Sequence, residues 1–340
     1  MPVVTAKQAL ASVGSTIDVQ DLLSQLLICH RRELQIATLE MEVKRLKKGE
    51  DLDVSKIVTL IDKTNNYQGN YTHLDEVSRD PTIWRPTFYP PIDEHCGDPE
   101  DMGMNGVPQS GLVVIGGPPG TGKTSLIAKI IAGCAAQKKS TLVYTLEMTT
   151  GQIARRIIQV SISELSDEQK HTVIICDRIM SVDEVYTDAM RLCSTEDVYG
   201  VFIDFSDMLV EEKEDEQSMA YVYRRCASLA KENVSGAPVF LLAQLNRNYT
   251  GGVPKINHLR YSGMAEAVAS LIFLIYNPNQ IYATTVKDNT LPAIPGSGYI
   301  INGKSRFGYR EGGPGAIRVK FDGKMAWGED RLGWIGLTSV

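Results

Sequence analysis

Gly117-Pro118-Pro119-Gly120-Thr121-Gly122-Lys123-Thr124 fits the pattern G-x-x-x-x-G-K-[ST] in full, and its flanks decide what it means. Leu112-Val113-Val114-Ile115-Gly116 before it reads as a buried strand. Ser125-Leu126-Ile127-Ala128-Lys129-Ile130-Ile131-Ala132 after it reads as a helix packed on a sheet. A strand, a glycine-rich loop and a helix in that order form a cradle for phosphates. Glycines let the backbone wrap an anion, and the amides of a helix N-terminus point into the loop. Lys123 adds a cation for the β- and γ-phosphates, and the Thr124 hydroxyl is placed to ligate Mg²⁺. Residues 117–125 are therefore expected to bind a nucleoside triphosphate.

Working outward, the chain from 111 to about 322 alternates apolar runs with helical stretches. Runs at 141–146, 172–176, 201–203, 238–243 and 268–276 read as strands. Helices are expected near 151–160 and 218–233. A further helix runs to Leu192 from Ser181-Val182-Asp183-Glu184, which has the S-x-x-E spacing of a capping box. Continuous apolar strands separated by helices predict a mostly parallel sheet covered on both faces. The end, from Tyr299-Ile300-Ile301 to Ile317-Arg318-Val319-Lys320-Phe321, reads as strands joined by a glycine-rich turn.

Upstream, residues 17–48 carry apolar positions at helical spacing, and Val54, Ile57, Val58 and Ile61 form one stripe after a cap at Asp53. That stripe either docks on a neighbouring subunit or packs on its own domain. Residues 65–110 are rich in Pro, Gly, Asn and Asp and read as irregular. The expected organisation is a helical segment over 1–66, a linker over 67–110 and an ATPase domain over 111–340.

Composition narrows the partners. The 340 residues carry a formal charge of −6, so no global basic field draws nucleic acid and a local patch or assembled channel must do so. The six cysteines are scattered without metal-ligand spacing, which fits a reducing compartment. No run approaches the ~18 apolar residues of a membrane span, and the expectation is a cytoplasmic protein.

In a parallel sheet, ligands bind beyond the carboxyl ends of the strands, so polar residues that close apolar strands are the candidates. Asp204 closes Val201-Phe202-Ile203 and is the carboxylate expected to hold Mg²⁺ near Thr124; Asp207 either supports it or is solvated. Glu147 ends the strand at 141–146. It either orients or deprotonates the attacking water, or starts the next helix, where the dipole would stabilise it. Gln244 follows the strand at 238–243 and is either a sensor of the γ-phosphate or a polar loop residue. Lys304 and Arg306 share a face at strand spacing. They either grip a phosphate, acting in trans on a neighbour's nucleotide, or form a solvated basic edge.

Five stretches in order resemble the motor domain of the DnaB-type replicative helicases. They are the phosphate loop; Thr145-Leu146-Glu147-Met148; Ile203-Asp204-Phe205 with Met208-Leu209; Ala243-Gln244-Leu245-Asn246-Arg247; and Lys304-Ser305-Arg306-Phe307-Gly308. The resemblance implies an α/β, RecA-like P-loop NTPase core preceded by a small helical N-terminal segment. It implies that Lys123, Glu147, Gln244, Lys304 and Arg306 are catalytic, that Thr124 and Asp204 hold Mg²⁺, and that ATP is hydrolysed. It also implies a hexamer around single-stranded DNA, gripped through Arg247, Asn248 and Lys255, and allows a primase or helicase loader as a further partner. The stripe at 54–61 falls where that family has a linker helix docking on the adjacent subunit.

The chain departs from the pattern at Tyr261, where an acidic residue is usual, and at Val268 and Ser270, where an acidic pair is expected. Its N-terminal region is also shorter than the family's. The most telling departure is an acidic run. Glu211-Glu212-Lys213-Glu214-Asp215-Glu216 stands where a DNA-facing loop is expected, and acidic side chains repel phosphates. Either this loop faces solvent and 246–255 holds the strand, or the protein is not a translocating helicase. The competing readings are a RecA-like recombination or loading ATPase that assembles on DNA without unwinding it, and a nucleotide-switched assembly protein.

Overall fold

Each continuous apolar run becomes a strand, buried on both faces except at the sheet edge, where the strand at 173–176 is half-buried. The computed structural model describes residues 83–97, 105–204, 209, 216–246, 248–279, 291–308, 314–321 and 327–337. The helices expected before residue 66, Asp207, residues 211–215 and Arg247 lie outside the described residues.

The described chain begins with β1 (Trp84–Arg85), α1 (Pro90–Asp93) and β2 (Val107–Pro108), β1 and β2 pairing antiparallel. The main run follows: β3 (Leu112–Gly117), α2 (Lys123–Ala136), β4 (Ser140–Thr145), α3 (Thr150–Val160), α4 (Asp167–His171), β5 (Val173–Cys176), α5 (Val182–Thr195) and β6 (Val198–Asp204). Then come α6 (Glu216–Glu232), β7 (Val239–Gln244), α7 (Ser262–Val268), β8 (Leu271–Tyr276), β9 (Ser297–Ser305), β10 (Gly315–Phe321) and β11 (Trp327–Gly336). Nine strands form one sheet in the order β11-β10-β9-β8-β3-β7-β6-β4-β5. The six from β8 to β5 in that order run parallel, and β9, β10 and β11 add on antiparallel.

Strand alternation sorts the side chains into two cores. On β3, Leu112 and Val114 join the core under α5, α6 and α7, whereas Val113 and Ile115 join the core under α2 and α3. Helix α2 is apolar almost all round, with Leu126, Ile127, Ile130 and Ile131 buried. The segment leading into the domain explains this. Tyr89 and Ile92 are fully buried in the same core as α2, and Phe88 lies so close to Gly133 that a Cβ there would meet its carbonyl oxygen at 2.8 Å. Residues 83–97, irregular by composition, are thus a cover over α2. Arg85 fastens this cover by donating to the Tyr199 carbonyl at 2.8 Å.

Two local readings resolve plainly. The capping box at Ser181 forms with Glu184, at the start of α5. Val268, read as the start of a strand, is instead the last residue of α7, and β8 begins at Leu271. An apolar residue at a helix end continues without a break into an apolar strand, so the run alone carries no boundary. No disulfide joins the five described cysteines, and no described helix is long and apolar enough to cross a membrane.

Candidate nucleotide site

Strand order alone brings most of the candidates together. β7 lies beside β3 in a register that sets Gln244 opposite Gly117. β6 lies beyond β7, and β4 beyond β6, with Thr145 opposite Asp204. The Leu146 amide donates to the Asp204 carbonyl at 2.8 Å, extending that pairing one residue, and Glu147 follows. The phosphate loop, Gln244, Asp204 and Glu147 therefore share the carboxyl edge of the sheet. They line one cavity of about 580 Å³ with Pro119, Gly120, Gly122, Lys123, Thr124 and Ser125.

The loop is built on two left-handed glycines, Gly120 at φ 76° and Gly122 at φ 99°, a conformation costly for a residue with a Cβ. Thr121 staples it from within, its hydroxyl donating to the Pro118 carbonyl at 2.7 Å. The Lys123 ammonium donates to the carbonyls of Gly117 and Pro118 at 2.7 and 3.0 Å, lying across the loop.

Thr124 Oγ donates to Asp204 Oδ2 at 2.9 Å. Asp204 is 3% exposed. Burial pushes its pKa up to about 6, against the pull of the Thr124 hydrogen bond and the nearby Lys123 and Arg156 charges, while Glu147 pushes the same way as burial. A buried carboxylate disfavoured by its surroundings beside a hydroxyl oxygen is an all-oxygen donor pair suited to a hard divalent cation such as Mg²⁺.

Glu147 is exposed, two residues past β4. The next helix does not use it as a cap: Thr149 caps α3, in a reciprocal box with Gln152. Thr145 Oγ shapes the intervening turn by donating to the Met148 carbonyl at 3.0 Å.

Beyond Gln244 the chain leaves the sheet in a loop closed at its base by a bridge between Leu245 and Leu259. Val253 and Ile256 anchor that loop in the core. Asn248 is exposed on it and Lys255 half-buried. Neither Asn248 nor Lys255 lines the nucleotide cavity.

Lys304 and Arg306 lie elsewhere. β9 runs antiparallel to β8, with Lys304 opposite Ile272, which carries both residues away from the phosphate-loop edge. The Arg306 amide donates to the Ser270 carbonyl, and the Ser270 amide to that of Leu112. Arg306 is therefore level with the start of β3, roughly 17 Å along the strand from Gly117. Lys304 Nζ donates to the Glu266 carbonyl, and Arg306 Nη2 to the Ala267 carbonyl at 2.8 Å. Both close the C-terminal turn of α7, as cations favour.

Sequence reasoning missed two groups. Gln152, Arg155, Arg156 and Gln159 on α3 line the cavity wall. The sequence predicts the helix at 151–160, but spacing shows which face is polar and not what that face looks upon. The second is Trp327 of β11, whose indole N–H donates to the Gly122 carbonyl at 3.0 Å.

Comparison with known proteins identifies the family and the fold. The family model described as DnaB-like helicase C terminal domain matches residues 100–169 and 159–327. The replicative DNA helicases DnaB of two Helicobacter pylori strains, J99 and 26695, are each 24% identical over 229 residues. The match takes in 59% of this chain and 46% of either relative, so the chain spans just under half the length of the curated relatives it matches. Among solved structures, a DnaB-like replicative helicase described with its primase interactions superposes with a TM-score of 0.63 at 16% identity, covering 94% of this chain and 81% of that one. A second solved structure, an isolated ATPase domain, superposes with a TM-score of 0.55 at 17% identity, covering 85% of this chain and all of that one. The fold is thus that of these RecA-like ATPase domains.

Proposed function

Because the chain belongs to the DnaB-like helicase C-terminal domain family, we propose that it is the motor of a DnaB-type replicative DNA helicase. In this reading it hydrolyses ATP at the subunit interfaces of a hexameric ring that translocates on single-stranded DNA. The observation that carries the proposal is the gathering of Lys123, Thr124, Asp204, Glu147 and Gln244 around one cavity, in a chain whose family match spans all five.

The residues divide the work as follows. The loop amides and Lys123 bind the phosphates. Thr124 and Asp204 hold Mg²⁺, which when bound neutralises phosphate charge. Glu147, exposed and not engaged as a helix cap, orients or deprotonates the attacking water. Gln244 contacts the γ-phosphate and passes its presence to the loop bridged at Leu245 and Leu259. Lys304 and Arg306, distant from their own chain's cavity, stabilise developing charge on the nucleotide of an adjacent subunit. Arg247, Asn248 and Lys255 hold the DNA strand. The segment 1–66 docks on a neighbouring subunit, and a primase or loader is a further partner; residues 83–97, expected within a linker, belong instead to the ATPase domain's core.

The test is hydrolysis of ATP with and without single-stranded DNA, followed by unwinding of a forked duplex. Stimulation with unwinding is expected. Stimulation without unwinding would favour the loading or recombination ATPase. Hydrolysis indifferent to DNA would remove nucleic acid from the proposal. Removal of residues 1–66 is expected to weaken assembly while the ATPase domain stays folded; an unfolded, aggregating product would place the 54–61 stripe in the domain's own core.

A further inference from the structure

We propose that Trp327 is a positioning residue for the phosphate loop. The inference rests on the nucleotide-binding reading above and extends it to a strand about two hundred residues away in the chain.

The geometry starts at one carbonyl. The Gly122 oxygen accepts two hydrogen bonds, from the Leu126 amide at 2.9 Å and from the Trp327 indole at 3.0 Å. The first is the ordinary opening bond of α2. The second comes from outside the helix and fixes the carbonyl in a second direction. In a planar trans peptide the C=O and N–H point opposite ways, so holding the Gly122 carbonyl also aims the Lys123 amide. That amide belongs to the first turn of α2, whose N–H groups project from the helix start toward the loop.

Trp327 can do this because its ring cannot drift. It is 1% exposed, stands against the Phe321 ring at 4.8 Å between centroids and has Gly298 beneath it, where a Cβ would meet the indole at 3.0 Å. The next residue is tied down separately, the Tyr89 hydroxyl donating to the Gly328 carbonyl at 2.9 Å. Gly122 itself leaves no slack, since a Cβ there would meet Trp327 Nε1 at 3.0 Å and Phe321 at 3.1 Å. A buried indole N–H needs an acceptor, and this one has taken it from the loop.

The experiment uses the full chain and two substitutions of different kinds. Trp327→Phe keeps an aromatic ring and deletes the N–H. Loss of one such hydrogen bond is expected to weaken ADP binding roughly 3- to 10-fold, to raise KM for ATP by a similar factor and to change kcat less. A folded Trp327→Phe protein that binds ADP as wild type does would overturn the proposal. The double variant Trp84→Phe with Trp334→Phe leaves Trp327 as the sole indole and serves even where Trp327→Phe fails to fold. Its emission is expected to shift in intensity or wavelength, saturably, as ADP with Mg²⁺ is titrated, because the ring shares a hydrogen bond with the loop. Emission that stays flat while ADP demonstrably binds would overturn the proposal and leave the nucleotide site standing. Failure of the wild-type chain to bind ADP would overturn both.

Discussion

The two ends of the central sheet are built differently. At the carboxyl edge of the parallel strands, four neighbouring strands each end in a chemistry-bearing residue or lead straight into one, and adjacency in the sheet gathers them. At the opposite edge, antiparallel β9 delivers Lys304 and Arg306 onto the last turn of α7, on a strand that leaves the nucleotide behind. A parallel sheet collects its strand ends at one place by construction, whereas an antiparallel addition sends its ends the other way. The first edge gathers its phosphate loop, Asp204, Glu147 and Gln244 within one chain. The second closes a helix end within its own chain, and its proposed chemistry requires another chain to come to it.

The strongest challenge to this contrast is Lys123→Ala, which should abolish hydrolysis and weaken nucleotide binding, since the phosphates lose their principal cation. Normal turnover would remove the carboxyl edge from the mechanism.

Arg306→Ala tests the other edge. If it acts on a neighbour's nucleotide, hydrolysis should fall roughly 10³-fold while ADP binding is retained. Losing its bond to the Ala267 carbonyl should cost only about 1 kcal/mol of stability. A variant destabilised by that amount but fully active would reduce Arg306 to a helix-end residue. Mixing Arg306→Ala with Glu147→Gln chains sharpens the comparison, because some interfaces then join two intact edges. Recovered activity would establish action between subunits.

Glu147→Gln alone should slow hydrolysis on the order of 10²-fold or more with binding intact. A wild-type rate would exclude Glu147 as the base and leave its exposed position without a catalytic role.

A pH effect on stability concerns Asp204. The folded carboxyl holds its proton up to about pH 6, whereas an unfolded Asp releases it near 3.8. The folded state therefore binds the extra proton between those values, and stability falls as pH rises through that window, by at most about 3 kcal/mol. Asp93, also raised to about 6 by burial, contributes a parallel fall, so the measurement is the difference between wild type and Asp204→Asn. The Asn variant should lose the Asp204 share, melting higher at neutral pH without nucleotide, while losing hydrolysis. Identical pH profiles for the two proteins would mean that Asp204 is ionised without cost.

What could be read from sequence follows the same division. The phosphate loop is contiguous, and each partner at the carboxyl edge closes an unbroken apolar run, so Asp204, Glu147 and Gln244 were visible as strand ends. Trp327 was not. β11 opens on the mixed stretch Trp327, Gly328, Glu329, Asp330 and Arg331, where no apolar run marks a strand around Trp327, so nothing tied it to Gly122. Arg155 and Arg156 were hidden for the reason that hides any polar helix face: a wall of a cavity and a solvent surface have the same spacing. Tyr89 and Ile92 sit among prolines, and turn-forming composition masked two fully buried side chains.

If Lys304 and Arg306 act on a neighbour's nucleotide, a consequence of symmetry follows. A chain that lends a residue from one edge of its sheet and borrows one at the other meets its two neighbours through unlike surfaces. Contacts of that kind have no partner-swapping twofold axis. They close into a ring when the rotation per subunit divides a full turn, and otherwise climb as an open helix. In a closed ring of such chains every subunit has the same direction around the circle, so the two faces of the ring are chemically distinct. A strand threaded through it would meet a different surface on entering than on leaving.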